Sequence, residues 1–161
     1  MTDKDNKKNK GIPLSNAWLF RRPDSKRVQQ DEKETMDLDQ KGEELLEAAL
    51  EGDADRIVEL VAEGVDVNYY SPKSGSYAIC LAAASSAWPA TEELLKAKGI
   101  KVLVKDRLGR LPSTLAGEVS YPDTRLAAIL MEYEIEEAER AGLEYKDVLT
   151  GKVGLNRDPQ P

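Results

Sequence analysis

The sequence predicts an all-α repeat fold, and three observations predict it. Gly42, Gly75 and Gly109 stand 33 and 34 residues apart. Each opens a short run rich in small residues, followed by a break and a second apolar run. A two-helix unit of about 33 residues cannot bury its apolar face alone and must stack on a copy of itself.

In chain order, residues 1–40 form a basic arm with the composition of disorder: few apolar groups and many charged and amide side chains. Residues 1–33 hold nine Lys or Arg against five Asp or Glu, leaving 14 against 25 in the rest of a chain whose net charge is −7. One island interrupts the arm, Ala17-Trp18-Leu19-Phe20-Arg21-Arg22. Trp and Arg are enriched at binding hot spots, so Trp18, Leu19, Phe20, Arg21 and Arg22 read as a docking segment. The alternative is that Trp18 and Phe20 fold back to cover the exposed end of the first repeat.

The repeat region spans 41–142. Its first unit carries Leu45, Leu46, Ala48 and Ala49, then Ile57, Leu60 and Val61 at the i, i+3, i+4 spacing of a buried helical stripe. Asp53 is placed as an N-cap and Gly64 as a left-handed C-cap. The second unit places Ala78, Cys80, Leu81, Ala82 and Ala83 after Gly75, then Leu94 and Leu95. Alanines on these inner helices allow neighbouring repeats to approach closely. Trp88 falls in the break, beside Pro89, as either an exposed anchor or a lid on the outer helices. The third unit opens at Asp106 to Pro112 and runs through Ala116 and Gly117 into Leu126, Ile129 and Leu130. Its second helix continues to about Ala141 as a longer capping helix, with Tyr133 inward and Glu132, Glu134, Glu136, Glu137 and Glu139 as a solvated face. Residues 143–161, with two glycines and two prolines and no period, form a tail or an irregular strap.

These units resemble the ankyrin-repeat family, whose pattern runs Gly, any residue, Thr-Pro-Leu-His, any residue, Ala-Ala, then a helix with paired leucines. Pro112 keeps that proline where Ala78 replaces it, Cys80 and Thr114 stand in the histidine position, and Gly117 replaces an alanine. The resemblance covers residues 41 to about 132 and implies a stack of about three helix-turn-helix repeats with short hairpin loops. It also implies a protein-binding concave side built from loop tips and inner-helix surfaces. Carried onto this sequence, those positions are Tyr69, Tyr70, Lys73, Ser74 and Ser76 on one tip. Lys105, Arg107, Leu108 and Arg110 stand on the next, with Leu81, Ser85 and Glu118 on the inner helices. Tyr77 and Leu111, in the family's Thr position, are expected to pack in the core.

The chemistry read from the chain narrows the function. There is no histidine, which removes Ser-His-Asp, Cys-His and imidazole-based metal chemistry together. Cys80 is the single thiol and has no neighbouring base, so it reads as structural, and one cysteine forms no internal disulfide. Gly151-Lys152 lacks the partner glycine of a phosphate loop. No cofactor and no metal is expected, and the chain is read as a non-enzyme. No run approaches the ~18 apolar residues of a membrane span or the core of a signal peptide, so the expectation is a soluble, cytoplasmic protein, monomeric alone.

The leading expectation is therefore a protein-protein interaction module, an adaptor or inhibitor, whose acidity suits an immunity-type role against a basic partner surface. A second expectation uses the basic arm as a tether to nucleic acid or an anionic membrane, with Trp18 supplying stacking. The acidic body opposes that second role.

Overall fold

The structure, a computed structural model, describes residues 25–118 and 122–155, so the Trp18–Arg22 segment lies outside the described residues. The chain divides into two units, 1–36 and 37–161. In the first, every described residue is helical and those whose side chains are described are exposed. Seven helices are found among the described residues: α1 (Ser25–Glu51), α2 (Ala54–Ala62), α3 (Ala78–Ala84), α4 (Trp88–Lys96), α5 (Pro112–Glu118), α6 (Thr124–Arg140) and α7 (Tyr145–Leu149). A two-residue antiparallel ladder, β1 (Tyr70–Ser71) with β2 (Ser76–Tyr77), precedes α3 and pairs Tyr70 with Tyr77.

The helical start at Ser25 corrects the expected disorder as far as residue 40. Residues 25–40 are rich in Lys, Glu and Gln, which lose little side-chain freedom in a helix. The correction extends to Gly42, which lies inside α1 rather than ahead of a repeat. A β-carbon there would stand 2.6 Å from the Tyr69 ring, so close approach accounts for a residue that otherwise weakens a helix.

Helix ends follow the chemistry of the sequence. The Asp53 carboxylate accepts the Arg56 N–H at 3.0 Å and caps α2, as expected. Gly64, at φ +90°, closes it with Gly64 N–H on the Val61 carbonyl and Val65 N–H on the Leu60 carbonyl. Asp123 caps α6 in the same way as Asp53 caps α2.

Helices of seven to nine residues are too short to persist alone, so α2 to α5 depend on packing. Helix α2 packs on α4, α3 on α4 and α5, α5 on α6, and α6 on α7. The shared core holds Leu45, Ile57, Leu60, Ile79, Leu94, Leu126 and Leu130, with Ala49, Ala78, Ala82, Ala83, Ala90 and Ala116 all at zero exposure. A second cluster of Leu103, Leu111, Ala138 and Val148 joins α6 to α7, so residues 145–149 form a packed helix inside the expected tail.

The glutamate run on α6 is not uniformly solvated. Glu134 is fully buried, with Oε1 accepting the Ser113 N–H at 2.8 Å and Oε2 accepting the Ser113 and Tyr145 hydroxyls, both at 2.6 Å. It thereby caps the start of α5 and ties α5, α6 and the start of α7 together. Glu137 accepts the backbone N–H groups of Val102 and Leu103 at 2.7 and 3.0 Å. Tyr133, expected inward, is instead 41% exposed. Trp88 is the first residue of α4 and half-buried; its indole N–H donates to Asp123 and Arg125 lies 5.6 Å over its ring. Of the two expectations for Trp88, the lid describes it.

Burial pushes the Glu134 carboxyl above its ordinary value of 4.5, and the Ser113 and Tyr145 hydrogen bonds only partly offset that. Burial thus disfavours the ionised form in the folded chain, a penalty that the unfolded chain does not carry. As pH falls through the raised value the folded chain takes up the proton first, so stability rises with acidification and levels off below 4.5. Asp106 and Asp123, both held below the usual 3.8, act in the opposite sense only at lower pH. Urea unfolding across this window should therefore show a rise toward acid that Glu134→Gln flattens. Glu134→Ala, which orphans the two buried Ser113 donors and the half-buried Tyr145 hydroxyl, should cost about 2–4 kcal/mol at neutral pH. Equal pH profiles for wild type and Glu134→Gln would contradict the assignment.

Candidate binding site at the loop tips

Two loop tips, 71–76 and 106–110, are built by different local chemistry. In the first, Ser71 is buried; its hydroxyl donates to Glu43 Oε1 at 2.6 Å and accepts the Ser74 N–H at 3.1 Å, while Gly75 turns the chain at φ +69°. In the second, Asp106 is buried and its Oδ1 accepts the N–H groups of Leu108 and Arg110, both at 2.9 Å. Its Oδ2 takes the Arg110 guanidinium in a forked contact at 3.0 and 2.8 Å. Burial alone would raise the Asp106 carboxyl, but the Arg110 and Leu108 contacts outweigh it and hold the group below the ordinary range. Asp and Gly three residues apart are a turn signature, so Asp106 to Gly109 was readable as a tip.

The tips are joined to one another. The Arg107 N–H donates to the Gly75 carbonyl at 2.8 Å, and the Arg107 stem lies against Gly75, where a β-carbon would come within 2.5 Å of Arg107 Cδ. Below them, the Asn68 side chain bridges to the next loop, donating to the Gly99 carbonyl at 2.9 Å and accepting the Lys101 N–H at 2.8 Å.

Six of the twelve expected contact residues line one groove of about 140 Å3: Ser74, Ser76, Leu81, Arg107, Leu108 and Arg110. Its floor includes Cys80, Ala84 and Leu115, none of them among the expected contact residues. Tyr70, Lys105 and Arg107 line a second, larger groove of about 590 Å3, between the 101–107 segment and residues 151–155. The remaining four, Tyr69, Lys73, Ser85 and Glu118, line neither. Tyr69 packs over Gly42 with its hydroxyl donating to Glu43, and Ser85 bonds back to the Leu81 carbonyl. Ser76, on β2, lines the groove with only 6% of its surface exposed. Lys105 Nζ donates to the Val148 carbonyl, a contact that ties its loop to α7. Tyr77 and Leu111 pack as expected, Tyr77 half-buried against Tyr70 with ring centroids 5.1 Å apart and Leu111 buried.

The electrostatics of the smaller groove differ from those of the chain. Its one carboxylate, Asp106, is already paired with Arg110. Arg107 is exposed and makes no ion pair among the described residues, and Leu108 is 68% exposed. Among the described residues no cluster of three or more His, Cys, Asp or Glu is arranged to hold a metal ion, and no helix is long and apolar enough to cross a membrane.

No family model matches the chain, and no curated protein is significantly similar to it.

Cys80 lines the groove but is fully buried as a residue, and burial pushes its thiol up to about 12. The thiolate is the reactive form, so a thiol reagent at neutral pH should label the native chain far more slowly than the unfolded one. Rapid labelling of the native chain would show that the floor of the groove opens.

Proposed function

We propose that this chain is a non-enzymatic interaction module of the ankyrin type, an adaptor or inhibitor that holds a protein partner on its loop tips and inner-helix surface. The observation that carries the reading is the groove in which residues from two tips, 33 to 34 residues apart in sequence, meet a half-buried leucine of α3. Repetition is supported by two helix pairs, α3 with α4 and α5 with α6, in contact through α3 and α5, and by positive-φ glycines at Gly75 and Gly109.

The groove suits binding more than chemistry. Its only thiol is held protonated by burial, and its only carboxylate organises a turn. What it offers a partner is an apolar floor, an exposed leucine and two arginines, the mixture from which binding hot spots are built.

Leu108→Asp places a charge on the most exposed apolar residue of the tip without touching the core. In affinity capture from the native host, the full chain and a version lacking residues 1–24 should hold the same partner, and Leu108→Asp should lose it with little change in Tm. Retention by Leu108→Asp together with loss on truncation would place recognition in the arm and contradict the proposal.

A further inference from the structure

On the reading above, we infer that the tip groove accepts an acidic segment of the partner carrying one apolar side chain, rather than the basic surface that the net charge of −7 suggests. The inference rests on where the charges are. Much of the exposed acidity lies on helix faces away from the groove lining: Glu47 and Glu51 on α1, Glu59 on α2, and Glu132, Glu136 and Glu139 on α6 are exposed. The tip side is different. Lys73 and Arg107 are exposed there with no ion pair among the described residues, and Arg110 stands at the groove edge with 39% of its side chain accessible.

Arg107 is the principal group. Its stem lies against Gly75 and its backbone N–H is bonded to the Gly75 carbonyl, so the guanidinium extends from a fixed base at the tip. A side chain whose stem is already packed loses less entropy on pairing with a carboxylate than one that is free along its whole length. Arg110 is fixed in the same sense by Asp106, with part of its surface still available. Between these two cations stands Leu108, above a floor that includes Leu81, Ala84 and Leu115. A space of about 140 Å3 is comparable to the ~150 Å3 that holds a benzene ring, so it takes a single leucine or aromatic side chain.

A peptide fits these features better than a polyanionic track. Nucleic acids and anionic bilayers present extended negative charge, which the exposed glutamates of α1, α2 and α6 would oppose. A short acidic segment need meet only the tips, with its apolar side chain seated between the arginines.

The test is a titration of the isotopically labelled full chain, read by amide chemical shifts, with a short synthetic peptide of Glu and Asp around one central Leu. Three controls accompany it: the peptide with Lys in place of its acidic residues, the acidic peptide with Ser in place of Leu, and a short oligothymidylate. The acidic Leu peptide should shift amides within 74–81 and 107–115. Arg107→Glu should weaken it about tenfold, Lys73→Glu should weaken it less, and the Ser control should bind more weakly than the Leu peptide. Both substitutions are at exposed positions, and their unperturbed spectra would verify the fold. If the Lys peptide shifts the same amides more strongly, the acidic assignment is overturned while the binding face stands. If no peptide of either sign shifts these residues, both are overturned. Tighter binding of the oligothymidylate at the tips, lost in Arg107→Glu, would overturn the peptide as occupant.

Discussion

The structure depends on close approach between short helices, and close approach depends on alanine. Helices of seven to nine residues have no stability of their own in water, so each of α2 to α5 exists only against its neighbours. Ala78, Ala82, Ala83 and Ala116 are fully buried on α3 and α5, where larger side chains would hold the two helices apart. The same proximity brings the tips that precede these two helices together. Gly75 at one tip then meets Arg107 at the next, backbone to backbone.

Polar side chains complete what the alanines begin. Glu134 gives α5 the cap that its own sequence lacks, since Leu111 and Pro112 offer no side-chain acceptor. Glu137 accepts the N–H groups of an extended segment that forms no strand, and Asn68 links loops 31 to 33 residues apart. The Glu137 and Asn68 bonds fix loops, and the Glu134 bonds fix a helix start. The second tip and the 101–107 segment are held in a preset shape, which under the proposed role would lower the ordering cost of binding.

Much of this was legible. Asp53 and Gly64 announced the ends of α2, the glycine spacing announced where the two tips fall, and the alternation of small and large apolar residues marked the core. Other features were not, for a common physical reason: they arise where residues far apart in sequence converge. A glutamate on a helix reads as solvated unless donors 21 to 35 residues away are known to aim at it, as Ser113 and Val102 do. Gly42 shares a period with Gly75 and Gly109 but serves the Tyr69 ring instead of a turn. Trp88 could not be placed from its neighbours because its partner, Asp123, lies 35 residues on. Half of the expected contact residues do meet in one groove, while the others are spent on internal ties or lie apart from it.

The central claim is that the tip face is preformed. Residue-resolved amide hydrogen exchange on the native full chain tests it most directly, because the Leu108 and Arg110 amides are bonded to a buried carboxylate and the Arg107 amide to a neighbouring tip. In a preformed face these three amides exchange far more slowly than unstructured chain, and α3 and α5 open only with global unfolding. Free exchange at the tip beneath protected helices would show a face that forms only on binding, and would contradict the account.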